Sequence, residues 1–322
     1  MNKRRVVVTG LGVVSSVGIG KDEFWKSIIN GKSGISKVAS FDTKEFRCHY
    51  AGEIKNFIPE EFIAKRKVQF LGRTSQLAIA AASLALKDAK VSLKDINKSS
   101  TFHKVLDKER TGVFIGTTMG ERPLEESIDV WVKEGADKIS KAKILQSSAN
   151  NISANIGIYF KFQGPNYLIP TACAAGNYAI GYGFDLIRKG DLDYAIAGGA
   201  DSFSKAAFTG FHRLYAVAPE KCQPFDKNRK GMIPGEGAGI LFLESLESAL
   251  KRKSNIYAEV LGYGLSCDAF HMTTSTVEGI EKVMLKALKE ANIREEEVDY
   301  ISAHGTGTPG NDLINGTFTD DR

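Results

Sequence analysis

The stretch Gly164-Pro-Asn-Tyr-Leu-Ile-Pro-Thr-Ala-Cys173-Ala-Ala-Gly-Asn-Tyr-Ala-Ile-Gly narrows the fold more than any other part of the chain. An extended apolar run from Tyr167 to Ile169 leads into a turn of small residues. A thiol follows, and then a helical pattern through Tyr178, Ile180 and Phe184. Strand, tight turn and helix in that order form the unit of helix-covered sheets. Similar units recur along the chain. Residues 6–8 read as a first strand closed by a glycine turn, and 111–115, 194–197, 239–243, 256–263 and 298–303 as further strands. Residues 22–30, 77–89, 147–160, 244–253 and 279–291 read as helices. In the last of these Ile280, Val283, Met284, Ala287 and Leu288 fall on one face. The 97–110 stretch is polar and reads as a surface excursion. The charge-rich stretch 121–143 reads as a helical cap. The alternation predicts an α/β protein with sheets covered on both faces.

Length allows one large or two medium domains. The 256–263 strand reads as the opening of a second repeat, which divides the chain into 1–254 and 255–322. Hydrophobic residues make up 43% of the chain, enough for a substantial core. The net charge of +5 is too mild and too dispersed for a nucleic-acid surface; it suits a partner with an acidic face. Cys48, Cys173, Cys222 and Cys267 show neither disulfide nor metal spacing. The basic start, Met1-Asn-Lys-Arg-Arg, is followed by too short an apolar run for a signal peptide. No segment has the length of a membrane span. These features predict a cytoplasmic protein with reduced thiols and no bound metal.

Cys173 at a strand-to-helix turn lies where unpaired backbone N–H groups collect. That environment favours a nucleophilic thiolate. Ala172, Ala174, Ala175 and Gly176 allow the turn and leave room for a substrate. The other reading of such a residue is a buried, inert thiol. A second polar stretch, Val298-Asp-Tyr-Ile-Ser-Ala-His304-Gly-Thr-Gly-Thr-Pro309, reads as a strand ending in a glycine-rich loop. His304 is then at the carboxyl edge of a strand, where α/β proteins place their chemistry. A single Cys with a spatially adjacent His suits acyl transfer.

Two glycine-rich motifs point elsewhere and are set aside. Gly10-Leu-Gly12-Val-Val-Ser15 has serine in place of the third glycine of a dinucleotide loop, and no suitably spaced acidic residue follows. Gly235-Glu236-Gly-Ala-Gly lacks the Lys-Ser/Thr pair of a phosphate loop. It reads as a tight turn with Glu236 satisfying nearby amides. His49, His103 and His212 have no ligand spacing. His271 is either a loop-orienting residue or a neighbour of the active site, with the first favoured.

The two chemical stretches together resemble the β-ketoacyl-acyl-carrier-protein synthases, specifically the elongating type II ketosynthases. Further motifs in the family order carry the resemblance: Val-Val-Val-Thr-Gly-Leu-Gly at 6–12, Phe41-Asp-Thr, Gly116-Thr-Thr-Met-Gly, Pro224-Phe-Asp, Gly235-Glu-Gly-Ala-Gly and Asp268-Ala-Phe-His-Met-Thr273. It implies a thiolase-like fold, layered α/β/α/β/α, with the second half incomplete. It also implies that Cys173 takes an acyl chain as a thioester, and that His304 assists decarboxylation of a malonyl unit and stabilises the enolate. Thr273, Thr306 and Thr308 would hold the pantetheine arm of the substrate. Acyl carrier protein is the implied partner, with a homodimer and no cofactor on this chain. Lys65, Arg66, Lys67, Lys205 and Arg213 form a candidate docking patch for the acidic carrier.

Family members carry a second histidine and a lysine after the first histidine. The eighteen residues after His304 hold neither, which implies impaired condensation through a truncated gene, a frameshift or a partial reading frame. The competing functions are a degradative thiolase or CoA-primed synthase, and a non-catalytic subunit that sets chain length. Cys173 argues against the last. Among the thiols Cys173 is expected to be the reactive one, with Cys48, Cys222 and Cys267 in apolar or ordinary surroundings.

Overall fold

The computed structural model describes residues 3–91, 106–271 and 273–316. The chain divides into two compact units. One comprises Met1–Gly34, Glu53–Ser204 and Gly235–Val260; the other comprises Ile35–Gly52, Lys205–Pro234 and Leu261–Arg322. The strands are β1 (Val6–Ser15), β2 (Gly18–Ile19), β3 (Ser36–Lys37), β4 (Tyr50–Ala51), β5 (Thr111–Gly116), β6 (Asn166–Ile169), β7 (Tyr194–Asp201), β8 (Gly237–Ser245) and β9 (Ala258–Val260).

The first unit is built on a seven-stranded mixed sheet in the order β2-β1-β8-β7-β5-β6, with β9 pairing β1. The pairs β5–β6 and β5–β7 are parallel, while β7–β8 and β1–β8 are antiparallel. Val113, Ile115, Ile196, Ile240 and Phe242 turn to one face and join the core with the helices Arg73–Asp88 and Asn151–Phe160. On the other face the helix Ala175–Lys189 crosses so closely that a Cβ on Gly183 would stand 3.2 Å from that of Ala195. Both faces are therefore covered, as the alternation of patterns predicts.

The first strand corrects the expected glycine turn at 10–12. β1 runs through both glycines to Ser15. Their small size serves packing: a Cβ on Gly12 would lie 1.8 Å from the Ala81 carbonyl oxygen, and one on Gly10 2.2 Å from that of Ala85. The Ala-rich helix Arg73–Asp88 thus packs backbone to backbone against β1. Thr9 sits at a register shift in the β1–β8 ladder, and its hydroxyl donates to Glu244. Glu244 is fully buried and pairs with Arg252 at 2.7 Å. The expected helix at 244–253 therefore starts later, as Leu246–Lys251, capped by the Ser245 hydroxyl. The helix expected from residue 147 likewise starts at Asn151.

Of the polar stretch 97–110, residues 97–105 lie outside the described residues. Its end is packed inward, with Leu106 and Lys108 buried. The 121–143 stretch does form helix, Pro123–Glu134, followed by the short helix Lys141–Leu145 from the same run.

The second unit contains the two-stranded β3–β4 sheet and the helices Lys205–Arg213, Val277–Ala291 and Pro309–Gly316. Phe41 and Phe46 each pack edge to face on Phe208 in it and lie tilted to one another, with ring centroids 5.1–6.2 Å apart. Residues 298–303, expected as a strand, form none, and Tyr300 and Ile301 are exposed. A strand needs a hydrogen-bonded neighbour as well as an apolar pattern, and among the described residues this segment pairs with none. The 256–263 strand shrinks for the same reason to β9, the part that pairs with Val6, Val7 and Val8.

Candidate active site

Parallel β5 and β6 end side by side, with Gly116 opposite Ile169. Pro170 has no N–H to continue the ladder, so the chain leaves the sheet there. Ala172 then takes a φ of +53°, a left-handed conformation that costs a β-carbon-bearing residue energy and persists where the surroundings dictate it. A single 3-10 turn, Ala172–Ala174, runs directly into the helix Ala175–Lys189. Cys173 is in that turn and is exposed. It shares a pocket of about 240 Å³ with Gly116, Thr117, Thr118, Gly176, Gly199 and Asp201 among others. Glycine at 116 is required, because a Cβ there would stand 2.2 Å from the Ala175 carbonyl carbon. The start of the helix is thus seated on the ends of the strands, and its N–H end and the thiol face an open, small-residue pocket. The burial expected of an inert thiol is not found at Cys173.

Asp201 closes β7 and lines the same pocket. Its carboxylate accepts the Thr117 hydroxyl at 2.8 Å, the Thr118 N–H at 3.0 Å and the Met119 N–H at 2.9 Å. Burial pushes its carboxyl above the ordinary value, and these hydrogen bonds pull it back. Glu236 fills the role expected of it, accepting the Ile54 and Phe203 N–H groups and pairing with Arg73 at 2.8 Å. Neither Asp201 nor the buried Glu121 stands out in the sequence reading. An acidic residue at the carboxyl end of an otherwise apolar strand was the available signal for Asp201.

The second unit holds the histidine loop. Gly305 and Gly307 have φ of +49° and +75°, which only glycine adopts without strain. The loop is pinned to the Cys222–Gly231 region, where Gly231 N–H donates to the Gly307 carbonyl at 2.9 Å and the Cys222 thiol to that of Thr306 at 3.3 Å. Asp312, nearly fully buried, accepts from the Gly307 and Phe225 N–H groups at 3.1 and 2.7 Å and faces Arg229 at 3.7 Å. This clamp leaves His304 exposed at the loop's entrance. It is carried by irregular chain and not by the strand expected from sequence. The Thr306 and Thr308 hydroxyls meet at 2.8 Å. Thr273 donates its N–H to His271 Nδ1 at 3.2 Å, the arrangement of a loop-orienting histidine.

The other thiols differ among themselves. Burial pushes Cys48 and Cys222 above the ordinary thiol value. Cys267 is exposed. In the first unit Lys65, Arg66 and Lys67 form the exposed helix Lys65–Val68, with the Lys67 ammonium 5.2 Å from the centre of the Tyr159 ring. In the second unit, Lys205 and Arg213 stand at the two ends of the helix Lys205–Arg213.

Residues 3–249 match the beta-ketoacyl synthase N-terminal domain and residues 257–317 its C-terminal domain. The chain is 37% identical to 3-oxoacyl-[acyl-carrier-protein] synthase 2 of Staphylococcus aureus strain COL, over 96% of this chain and 75% of that protein. It is 35% identical to the protein of the same description from Synechocystis, over 97% of this chain and 75% of that one. Among solved structures it is similar to the ishigamide ketosynthase/chain length factor, with a TM-score of 0.91 and 41% identity over 97% of this chain and 76% of that one. A type II polyketide acyl-carrier protein in complex with its ketosynthase, bound to the hexaketide, gives 0.82 and 31% over the same shares. The fold is thus the thiolase-like α/β fold of ketosynthases, and the chain belongs to the beta-ketoacyl synthase family of condensing acyltransferases.

Proposed function

We propose that this chain is a β-ketoacyl-acyl-carrier-protein synthase of fatty-acid or polyketide biosynthesis. The observation that carries the reading is the exposed Cys173 at the helix start, in a pocket walled by glycine, alanine and threonine. The Cys173 sulfur attacks the thioester of an acyl carrier protein, and the helix N-terminus favours the thiolate. The Cys173 N–H serves the tetrahedral oxyanion. A malonyl-carrier protein then loses CO2, with His304 stabilising the enolate, and the enolate attacks the acyl-cysteine to extend the chain by two carbons. Thr273, Thr306 and Thr308 hold the pantetheine arm. Loss of CO2 drives the carbon–carbon bond, so the reading assigns this chain no cofactor.

The nucleophile belongs to 1–254 and the histidine to 255–322, a division supported by the family matches on either side of it. The edge strand β6, which among the described residues pairs only with β5, supports a homodimer joined sheet to sheet. Lys65, Arg66, Lys67, Lys205 and Arg213 are assigned to carrier docking. The placement assigned to the chain is cytoplasmic; no helix among the described residues is long and apolar enough to cross a membrane.

His304→Ala tests the division of labour. The variant keeps acyl transfer to Cys173 within a few-fold, and CO2 release from malonyl-carrier protein falls by about 10²-fold or more, the usual cost of losing a donor to developing negative charge. Equal loss of both activities, or of neither, contradicts the role given to His304.

A further inference from the structure

Asp201 has a task that the reaction scheme leaves unassigned. Its carboxylate takes hydrogen bonds from three consecutive residues, Thr117, Thr118 and Met119, directly after β5. The Thr117 hydroxyl passes the link on by accepting the Gly120 N–H at 3.0 Å. The Gly120 carbonyl oxygen and the Ser202 hydroxyl each lie 2.8 Å from the buried Thr74 hydroxyl. One carboxylate therefore holds 117–119 directly and, through the Thr117 hydroxyl, Gly120. Thr117, Thr118 and Asp201 line the Cys173 pocket, and Gly116, where the turn begins, carries the start of the cysteine helix. With its charge directed to the turn, the carboxylate is placed to shape the wall of the site.

We propose that Asp201 is a positioning residue for acyl transfer to Cys173, acting by holding the Thr117–Thr118 wall of the pocket against the incoming thioester. The proposal rests on the reading of Cys173 as the acyl acceptor. In the step concerned, the cysteine sulfur bonds the thioester carbonyl carbon and the donor's carbon–sulfur bond breaks. The proton of the Cys173 thiol ends on the departing thiol. Orientation is where such a wall acts, since small misplacements of a bound reactant cost large factors in rate. A reagent too small to need the wall does not feel its loss.

The test compares two reactions at one sulfur. Wild type and Asp201→Asn react with the octanoyl thioester of N-acetylcysteamine and, separately, with iodoacetamide, and mass spectrometry follows the Cys173 peptide. Asparagine keeps the shape but loses the charge and offers an amide donor toward the loop N–H groups. The expected result is a maximal acylation rate at least about tenfold lower, with iodoacetamide alkylation of Cys173 within about twofold of wild type. Unchanged acylation, or a parallel fall in both reactions, overturns the proposal. Failure to acylate wild-type Cys173 overturns the underlying reading and this proposal with it, whereas normal wild-type acylation with a fully active variant overturns the proposal alone. Should Asp201→Asn not fold, the pair Thr117→Val and Thr117→Ser decides. Serine keeps the hydroxyl link and should acylate at least about fivefold faster than valine; equal rates overturn the proposal.

Discussion

Glu121 shows how far one residue's surroundings depart from its sequence context. It is 6% exposed. The Ser75 N–H donates to it at 2.9 Å, and a Cβ on Gly72 would strike its Oε2. Burial pushes its carboxyl up to about 7, against the pull of the Ser75 and Thr74 hydrogen bonds and with the help of nearby Glu126. The folded value lies above the unfolded one, so native Glu121 prefers its proton. Its contribution to stability is full below the ordinary glutamate range and is lost as pH rises through about 7. Glu121→Gln stays neutral throughout. The melting temperature of the variant minus that of wild type should therefore increase between about pH 5 and about pH 8. A difference that stays constant or decreases contradicts the burial argument. The sequence places Glu121 in a charge-rich stretch, which reads as solvated surface. Its burial comes from a helix start 46 residues upstream, and no local pattern carries that.

At the level of elements, the helix Arg73–Asp88 and strand β1 are the decisive pair. The helix was legible because its Ala and Leu residues are strong helix formers in an unbroken apolar pattern. The strand was legible only to Val8, because glycine in a sequence signals a turn. Its role here is long-range, admitting the backbone of another element. Gly12→Ala should destabilise the protein by about 1–3 kcal/mol or more, since the added carbon meets the Ala81 carbonyl oxygen and no rotamer change relieves it. Urea denaturation measures this, and an unchanged midpoint contradicts the close packing. The opposite error occurred at 298–303, where the apolar pattern suggested a strand and no partner strand meets it among the described residues. Pattern predicts a preference for extended chain; pairing is decided elsewhere in the fold.

At the scale of the whole molecule, the order of motifs along the chain carried the family assignment, and the two domain matches and the similar structures bear it out. The turn that exposes Cys173 was legible because small residues, a proline and a helical pattern follow one another within a short stretch. The pocket around it was less so: Thr117, Thr118 and Asp201 come from the ends of β5 and β7, distant in sequence and adjacent only through the parallel pairing of those strands. Acyl transfer to Cys173 is the step on which the proposed function turns. Its most direct measurement is peptide mapping by mass spectrometry after incubation with an acyl-carrier-protein thioester, for wild type and Cys173→Ala. An acyl adduct is expected on the Cys173 peptide of wild type, none in the variant, and none on Cys267, which is also exposed. An adduct that persists in Cys173→Ala, or that forms on Cys267 and spares Cys173, contradicts that expectation.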